Sequence, residues 1–254
     1  MLYIDQFVYS NKMRTSHPFE RFAFAMITMI IALMVDKPFI HISIVAIMIG
    51  LLVFRAKIAV AVILKLFSLP LGFLIIGLIT IALNISFTDA DMMFSIKIGN
   101  YFLGATAASL ALASKTLLTS ISCVACLYFL VLTTPMIEII NVLQFLRLPP
   151  LFIELMMLVY RFIFVLIETA FYIYTSQSSR WGYSSFKRSI ISFGLLFANL
   201  WGKAYIKSQS LFTSLLSRGY EGELKVINPK YTFSKLNIVI FSLIDLSLIG
   251  MALI

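Results

Sequence analysis

Two arginines in the C-terminal half of the chain are the residues whose type and spacing most clearly predict a chemical role. Each is preceded by a serine and followed closely by a glycine. The motif residues are Ser179, Arg180, Trp181 and Gly182 in the first and Ser217, Arg218, Gly219 and Glu221 in the second. A guanidinium is a rigid fork of donors that matches a carboxylate. Two such groups at helix ends predict docking to acidic groups of a partner.

Each motif taken alone also fits ordinary helix termination. A glycine after the last turn accepts the left-handed conformation, and an arginine there complements the negative end of the helix dipole. The occurrence of two such ends in one region favours the docking interpretation.

The remaining reactive groups predict neither catalysis nor a metal site in this chain. The two histidines, His17 and His41, are far apart, and most of the 11 acids are scattered singly. Gly202-Lys203 is not followed by the serine or threonine of a phosphate-binding loop. Cys123 and Cys126 form a C-x-x-C pair inside an apolar stretch, where packing is the simpler interpretation and redox or metal chemistry the alternative. We therefore expect no cofactor to be bound by this chain.

The amino-acid composition indicates that most of the chain lies in a lipid bilayer. Of 254 residues, 61% are hydrophobic and only 12% are charged, whereas soluble domains are about 25% charged. The net charge of +9 could suggest nucleic-acid binding. Membrane topology explains it better, since lysine and arginine accumulate in cytoplasmic loops. The chain is thus predicted to be an all-α, polytopic membrane protein that binds no nucleic acid.

Five apolar runs predict about five transmembrane helices. They are Phe22–Val35, Phe39–Phe54, Leu66–Phe87, Phe102–Thr134 and Leu236–Ile254. Asp36-Lys37-Pro38 predicts a tight turn between the first two. The fourth run is long enough to be one tilted helix or two helices. Lys115 within it is expected to pair in the bundle or to snorkel, and Asp245 in the last run is expected to face other helices.

The distribution of lysine and arginine predicts a cytoplasmic N-terminus. With that topology, seventeen of the 20 cations fall on the inside, and only Lys37 and Lys97 fall outside. The predicted organisation is N-terminal transmembrane helices at 1–134, a cytoplasmic coupling domain at 135–235 and a C-terminal transmembrane helix at 236–254.

The segment 135–235 is too charged for simple spans and too apolar for a soluble loop. Its second helix, about Leu151–Arg180, carries Glu154, Arg161 and Glu168 at intervals of seven, which makes one narrow polar stripe. Its third helix, about Phe186–Arg218, carries a stripe of small polar residues. The two stripes could pack against each other, or the long apolar rods could serve as levers that partners cover.

Several runs in this sequence together resemble one family of membrane proteins. They are Leu132-Thr133-Thr134-Pro135-Met136, Leu148-Pro149-Pro150, Tyr160-Arg161-Phe162-Ile163-Phe164-Val165, Gln177-Ser178-Ser179-Arg180-Trp181-Gly182-Tyr183 and Ser217-Arg218-Gly219-Tyr220-Glu221-Gly222-Glu223-Leu224. Their order and separations closely resemble CbiQ, the transmembrane (T) component of cobalt energy-coupling factor transporters. The likeness is strongest between Leu132 and Lys225.

The resemblance implies a non-catalytic coupling subunit in a prokaryotic inner membrane. Two Ala-Arg-Gly-like motifs of the family, here at Arg180 and Arg218, dock into a CbiO-like ATPase dimer that binds ATP and Mg. A CbiM-like S component captures the metal, and a CbiN-like accessory subunit is often present. This sequence departs from the family by serine in place of alanine at 179 and 217 and by Trp181 before Gly182.

Three alternatives remain at the level of sequence. A T component for nickel or a vitamin would use the same mechanism with a different S component. An integral membrane enzyme would need clustered carboxylates or histidines. A free-standing carrier could use Lys115 and Asp245 but would leave the long rods unexplained.

Overall fold

The computed structural model describes residues 8, 11, 13, 16–86, 92–98, 101–220 and 233–253. These ranges are predominantly helical, which confirms the predicted fold class. The helices are α1 (Pro18–Met34), α2 (Pro38–Gly50), α3 (Val60–Ala82), α4 (Ala107–Thr133), α5 (Met136–Phe145), α6 (Pro150–Ser179), α7 (Phe186–Leu216) and α8 (Lys235–Leu253). The strands are β1 (Asn84–Ser86), β2 (Met92–Ile98) and β3 (Tyr101–Thr106).

The predicted break between the first two apolar runs is confirmed. Helix α1 ends at Met34 and α2 begins at Pro38, because proline cannot donate to a preceding turn but fits the first position of a new helix. The α2 helix continues as a π-helical turn, Leu51–Arg55. At the start of α1, His17 Nδ1 caps the helix by accepting a hydrogen bond from the Phe19 amide at 3.2 Å.

The predicted bounds of the third span were wrong. Helix α3 begins earlier than expected and ends at Ala82, and residues Asn84–Ser86 form strand β1. Strand β3 pairs antiparallel with both β1 and β2 in the order β1-β3-β2. Apolar runs of this length fit either a helix end or a buried strand, so composition did not reveal the sheet.

The fourth apolar run contains one helix, α4, preceded by strand β3. A capping box starts it, since the Thr106 hydroxyl accepts from the Ser109 amide and the Ser109 hydroxyl accepts from the Thr106 amide. Lys115 pairs with Asp36 at 2.7 Å, which confirms the expectation that this lysine pairs in the bundle.

Among the described residues, five helices are long and apolar enough to cross a membrane: α2 with its π turn, α3, α4, α6 and α7. The predicted number of about five is confirmed, but the membership differs. Helices α6 and α7 meet the criterion although they lie in the predicted cytoplasmic segment. Helix α1, with 17 residues, and helix α8, predicted as the last span, do not meet it. The chain is a multi-pass membrane protein, and the cytoplasmic placement of 135–235 stays a prediction.

The chain divides into two compact units, one comprising residues 2–139 and 230–254 and the other residues 140–229. We call the first the bundle. Its core joins α1, α2, α3, α4 and α8. Phe24 lies at its centre, packed edge-to-face on Phe129 with ring centroids 5.5 Å apart and stacked on Phe241 at 4.5 Å. Asp245 is buried among these helices, as expected.

Candidate docking site

Helices α6 and α7 form an antiparallel hairpin with one arginine motif at each end. Among the described residues, two hydrogen bonds join the helices, and a third joins α6 to Tyr220, which follows the end of α7. From one end to the other, the pairs are Gln177–Ser192 (3.0 Å), Lys207–Thr169 (3.1 Å) and Tyr220–Glu154. The 30 residues of α6 span about 45 Å at 1.5 Å per residue. Arg180 and Arg218 therefore lie far apart, at opposite ends of the hairpin.

At the Arg180 end, the chain leaves α6 through a left-handed residue, Trp181, whose φ is 59°. The Trp181 amide donates to the Ser178 carbonyl at 3.1 Å, and the Gly182 amide donates to the Gln177 carbonyl at 2.9 Å. These are the two bonds of a Schellman motif, which satisfies the last carbonyls of a helix.

The Arg218 end repeats this geometry. Gly219 is left-handed, with a φ of 76°, and its amide donates to the Leu216 carbonyl at 3.1 Å. The Tyr220 amide donates to the Leu215 carbonyl at 3.1 Å. Each arginine is thus the residue immediately before the left-handed one, so the two motifs are structurally equivalent.

The two serines before the arginines are equivalent as well. The Ser179 hydroxyl donates to the Thr175 carbonyl, and the Ser217 hydroxyl donates to the Thr213 carbonyl, each at 3.0 Å. Each serine therefore satisfies its hydroxyl within its own helix. This leaves the arginine as the polar group that each end presents.

The prediction that Gly182 ends its helix by adopting the left-handed conformation was wrong. Trp181 takes that position, and Gly182 is required for close packing instead. A Cβ at Gly182 would lie 2.8 Å from both the Gln177 carbonyl oxygen and the Ser192 hydroxyl. The same prediction is confirmed at Gly219.

Both arginine ends are exposed. Arg180 and Arg218 are exposed, and the Trp181 side chain is 75% exposed. Neither guanidinium forms a hydrogen bond or an ion pair with the described residues. Glu221, the remaining predicted docking residue, lies outside the described ranges. An unpaired guanidinium is well suited to a carboxylate, and the adjacent Trp181 exposes an apolar ring.

The predicted polar stripe of α6 does not act as one unit. Glu154 is buried and accepts a hydrogen bond from the Tyr220 hydroxyl, which raises the pKa of Tyr220. Arg161 and Glu168 are exposed. Ser192 of the α7 stripe is buried, but its hydrogen-bond partners Gln177 and Gly182 lie outside the α6 stripe, so the packing of the two stripes against each other stays a prediction.

Apolar side chains form a groove of about 550 Å³ between α6 and α7. Its walls include Leu158, Phe162, Ala204, Leu211 and Leu215. Trp201 at its edge is 81% exposed. The hairpin therefore carries an exposed apolar groove on one side, in addition to exposed charges such as Arg161 and Lys203 along its length.

A buried polar cluster in the bundle was missed at the level of sequence. Arg21 is fully buried, pairs with Glu138 at 2.6 Å and donates to the carbonyls of Thr133 and Ser16. Asn11 donates to the Leu132 carbonyl at 3.0 Å. These bonds hold the junction between α4 and α5, the helix that leads out of the bundle. The sequence did not predict this cluster, since Leu132, Thr133 and Glu138 lie more than 100 residues from their partners Asn11 and Arg21.

Comparison with known proteins places these features in a family. The profile of the CbiQ family, described as cobalt transport protein, matches residues 10–227. A putative fused cobalt transport protein CbiMQ of Methanocorpusculum labreanum is 32% identical over 86% of this chain and 36% of its own length. An uncharacterized protein of Methanocaldococcus jannaschii is 28% identical over 98% of this chain and 92% of its own length. The cobalt transport protein CbiQ of Salmonella typhimurium is 30% identical over 61% of this chain and 69% of its own length.

Proposed function

Because the chain belongs to the CbiQ family of cobalt transport proteins, we propose that it is the transmembrane coupling subunit of an ATP-driven cobalt uptake transporter. The observation that carries the proposal is the pair of equivalent helix ends, each with an exposed arginine that has no partner among the described residues. Two matched sites at opposite ends of one hairpin suit a dimeric partner that offers the same acidic groove twice.

In this proposal each arginine docks into one subunit of a CbiO-like ATPase dimer. The guanidinium fork would bind a carboxylate bidentately, and Trp181 would add an apolar contact at one end only. Removing one partner from a buried, hydrogen-bonded charge pair costs about 2–5 kcal/mol. Loss of one arginine should therefore weaken docking at least tenfold, and loss of both should abolish it.

ATP-driven movement of the ATPase subunits would shift the hairpin, and the bundle would relay the shift to a metal-capturing membrane subunit. The Arg21–Glu138 pair supports this relay, because it fixes the first turn of α5 in the bundle core. The fused relative, whose name joins CbiM and CbiQ, supports a lasting association with a CbiM-like subunit. The chain itself would bind neither the cobalt ion nor ATP, and a CbiN-like subunit would be accessory.

The test is co-purification of the tagged chain with a co-expressed ATPase and metal-capturing subunit. Arg180→Ala/Arg218→Ala should lose the ATPase by at least tenfold and should abolish ATP-dependent uptake of radioactive cobalt. The control Lys203→Ala removes an exposed cation from the middle of α7, away from both helix ends, and should retain both. An ATPase that stays with the arginine variant, or is absent from the wild type, would contradict the proposal.

A further inference from the structure

A second cavity lies within the bundle, between α1 and α8. Its volume is about 230 Å³. One face of each helix lines it: Glu20, Ala23, Phe24 and Ile27 of α1, and Ile238, Phe241, Ser242 and Asp245 of α8. We call this cavity the α1–α8 groove. On each helix these lining residues span eight positions, or about 10 Å at 1.5 Å per residue, so the groove is about two helical turns long.

Two buried acids line the groove, and each has an unsatisfied oxygen. Glu20 is 6% exposed and Asp245 is 8% exposed. Glu20 Oε1 accepts a hydrogen bond from the Ser234 amide at 2.9 Å. Within the described part of the chain, Glu20 Oε2 and Asp245 Oδ1 have no hydrogen-bond partner. A buried carboxylate oxygen without a hydrogen-bond partner is costly, so a donor supplied from outside these two helices would stabilise the groove.

A metal ion does not fit this requirement. Among the described residues, no group of three histidine, cysteine, aspartate or glutamate side chains comes together, and transition-metal sites use such clusters. A single basic side chain fits better, because one lysine or arginine can satisfy a carboxylate directly.

The shape of the groove fits a helix. Its lining includes two small residues, Ala23 and Ser242, which allow close approach of another helix. Its rim is open, since Ile27 and Ile238 are each 44% exposed. A neighbouring helix could lie along two turns of α1 and α8 and insert one long side chain between them.

We propose that the α1–α8 groove binds a transmembrane helix of the metal-capturing subunit and that a lysine or arginine of that helix pairs with Asp245 or Glu20. This inference rests on the proposed function, and it names the surface through which the bundle would receive that partner. The arginine ends of the hairpin then serve the ATPase, and the groove serves the membrane subunit.

Site-specific photo-crosslinking tests the occupant in the assembled complex. A benzoylphenylalanine at Ile238, on the rim, should crosslink to a membrane-spanning peptide of the metal-capturing subunit that contains a lysine or arginine. The same probe at Leu243, 62% exposed on another face of α8, should give at least tenfold less of that product. Crosslinks only to lipid, to a second copy, to residues 221–232 of the same chain or to a peptide without a basic residue would overturn the proposal.

Charge removal provides the second measurement. Asp245→Asn and Glu20→Gln together should lower recovery of the metal-capturing subunit at least tenfold while the ATPase is retained, and Asp36→Asn, at an exposed acid, should change neither. A charge swap should restore recovery, with Asp245→Lys combined with an acid at the crosslinked basic position. If the Asp245/Glu20 variant retains both partners, the groove proposal fails and the coupling function stands. If the wild type recovers neither partner, both fail.

Discussion

The bundle and the α6–α7 hairpin differ in how many of their side chains are buried. Helix α4 of the bundle, with 27 residues, buries eight of them. Helix α6, with 30 residues, buries three, and α7, with 31, buries two. The bundle also buries its Arg21–Glu138 ion pair, whereas the hairpin exposes Arg180 and Arg218.

The difference shows which region is complete by itself. Among the described residues of the bundle, Asn11 and Arg21 are held by bonds to partners far along the chain, whereas the α1–α8 groove leaves two acid oxygens without a partner. The hairpin is a long apolar element with few buried contacts of its own, so surrounding protein or lipid must cover it. Substitutions in the bundle should therefore affect folding, and substitutions at the hairpin ends should affect assembly.

The largest effect on stability is expected at Arg21. Arg21→Ala leaves the Glu138 carboxylate buried without its cation, and breaking a buried pair in this way costs about 3–5 kcal/mol. Arg180→Ala should change the free energy of unfolding by less than about 0.5 kcal/mol, as is usual for exposed sites. Unfolding of the detergent-solubilised protein by sodium dodecyl sulfate measures both. If both substitutions lowered the free energy of unfolding equally, the proposed difference between the bundle and the hairpin would be contradicted.

A smaller effect on stability is expected at Gly182, where the hairpin is closely packed. Gly182→Ala places a methyl group 2.8 Å from the Gln177 carbonyl oxygen and the Ser192 hydroxyl, and overpacking of this kind costs about 1–3 kcal/mol. Gly194→Ala is the matched control, because nothing lies within 4 Å of its Cβ position. Alanine in a helix is favoured over glycine by about 1 kcal/mol. Hydrogen exchange of the hairpin should be faster in the first variant and slower in the second.

The two arginine ends should differ in backbone strain. Trp181 is left-handed, which costs an ordinary residue about 1–2 kcal/mol, so Trp181→Gly should slow hydrogen exchange at that end. Gly219→Ala should accelerate exchange at the other end by imposing the same strain. If Trp181 contacts the ATPase, Trp181→Gly also reduces ATPase recovery despite the gain in stability. Unchanged hydrogen exchange in both variants would show that the left-handed conformation of Trp181 carries no backbone strain, which contradicts this prediction.

The smallest effect on stability is expected from protonation of His17 in the bundle. Burial lowers the pKa of His17 from its ordinary value of 6.5, so the unfolded chain takes up the proton at a higher pH than the folded chain does. Stability should be constant above about pH 6.5, decline as the pH falls below it and level off once folded His17 is also protonated. His17→Asn keeps a helix cap and should remove this part of the pH dependence of the melting temperature. A wild-type profile without such a decline would contradict this.

Much of the helix order was predictable from apolar runs and breakers. Pro38 and Pro150 start helices where expected, and Gly219 ends one because only glycine adopts a positive φ without strain. The small sheet was not predictable, because residues 84–86 and 101–106 continue apolar runs whose length fits either structure. At the first motif, the left-handed conformation of Trp181 was not predictable, because sequence rules assign that conformation to the neighbouring glycine.

The sequence by itself determined the membrane class, the number of apolar helices, the two arginine motifs and the family, because composition, spacing and local chain stiffness act between near neighbours. Only the tertiary structure decided that the arginines lie at opposite ends of one hairpin, that Arg21 pairs with Glu138 and that Glu20 and Asp245 share a groove. These features join residues from 38 to more than 200 positions apart. Packing geometry and the cost of leaving a buried polar group unsatisfied determine which residues pair. Both depend on contacts between distant parts of the chain, so no local sequence pattern predicts them.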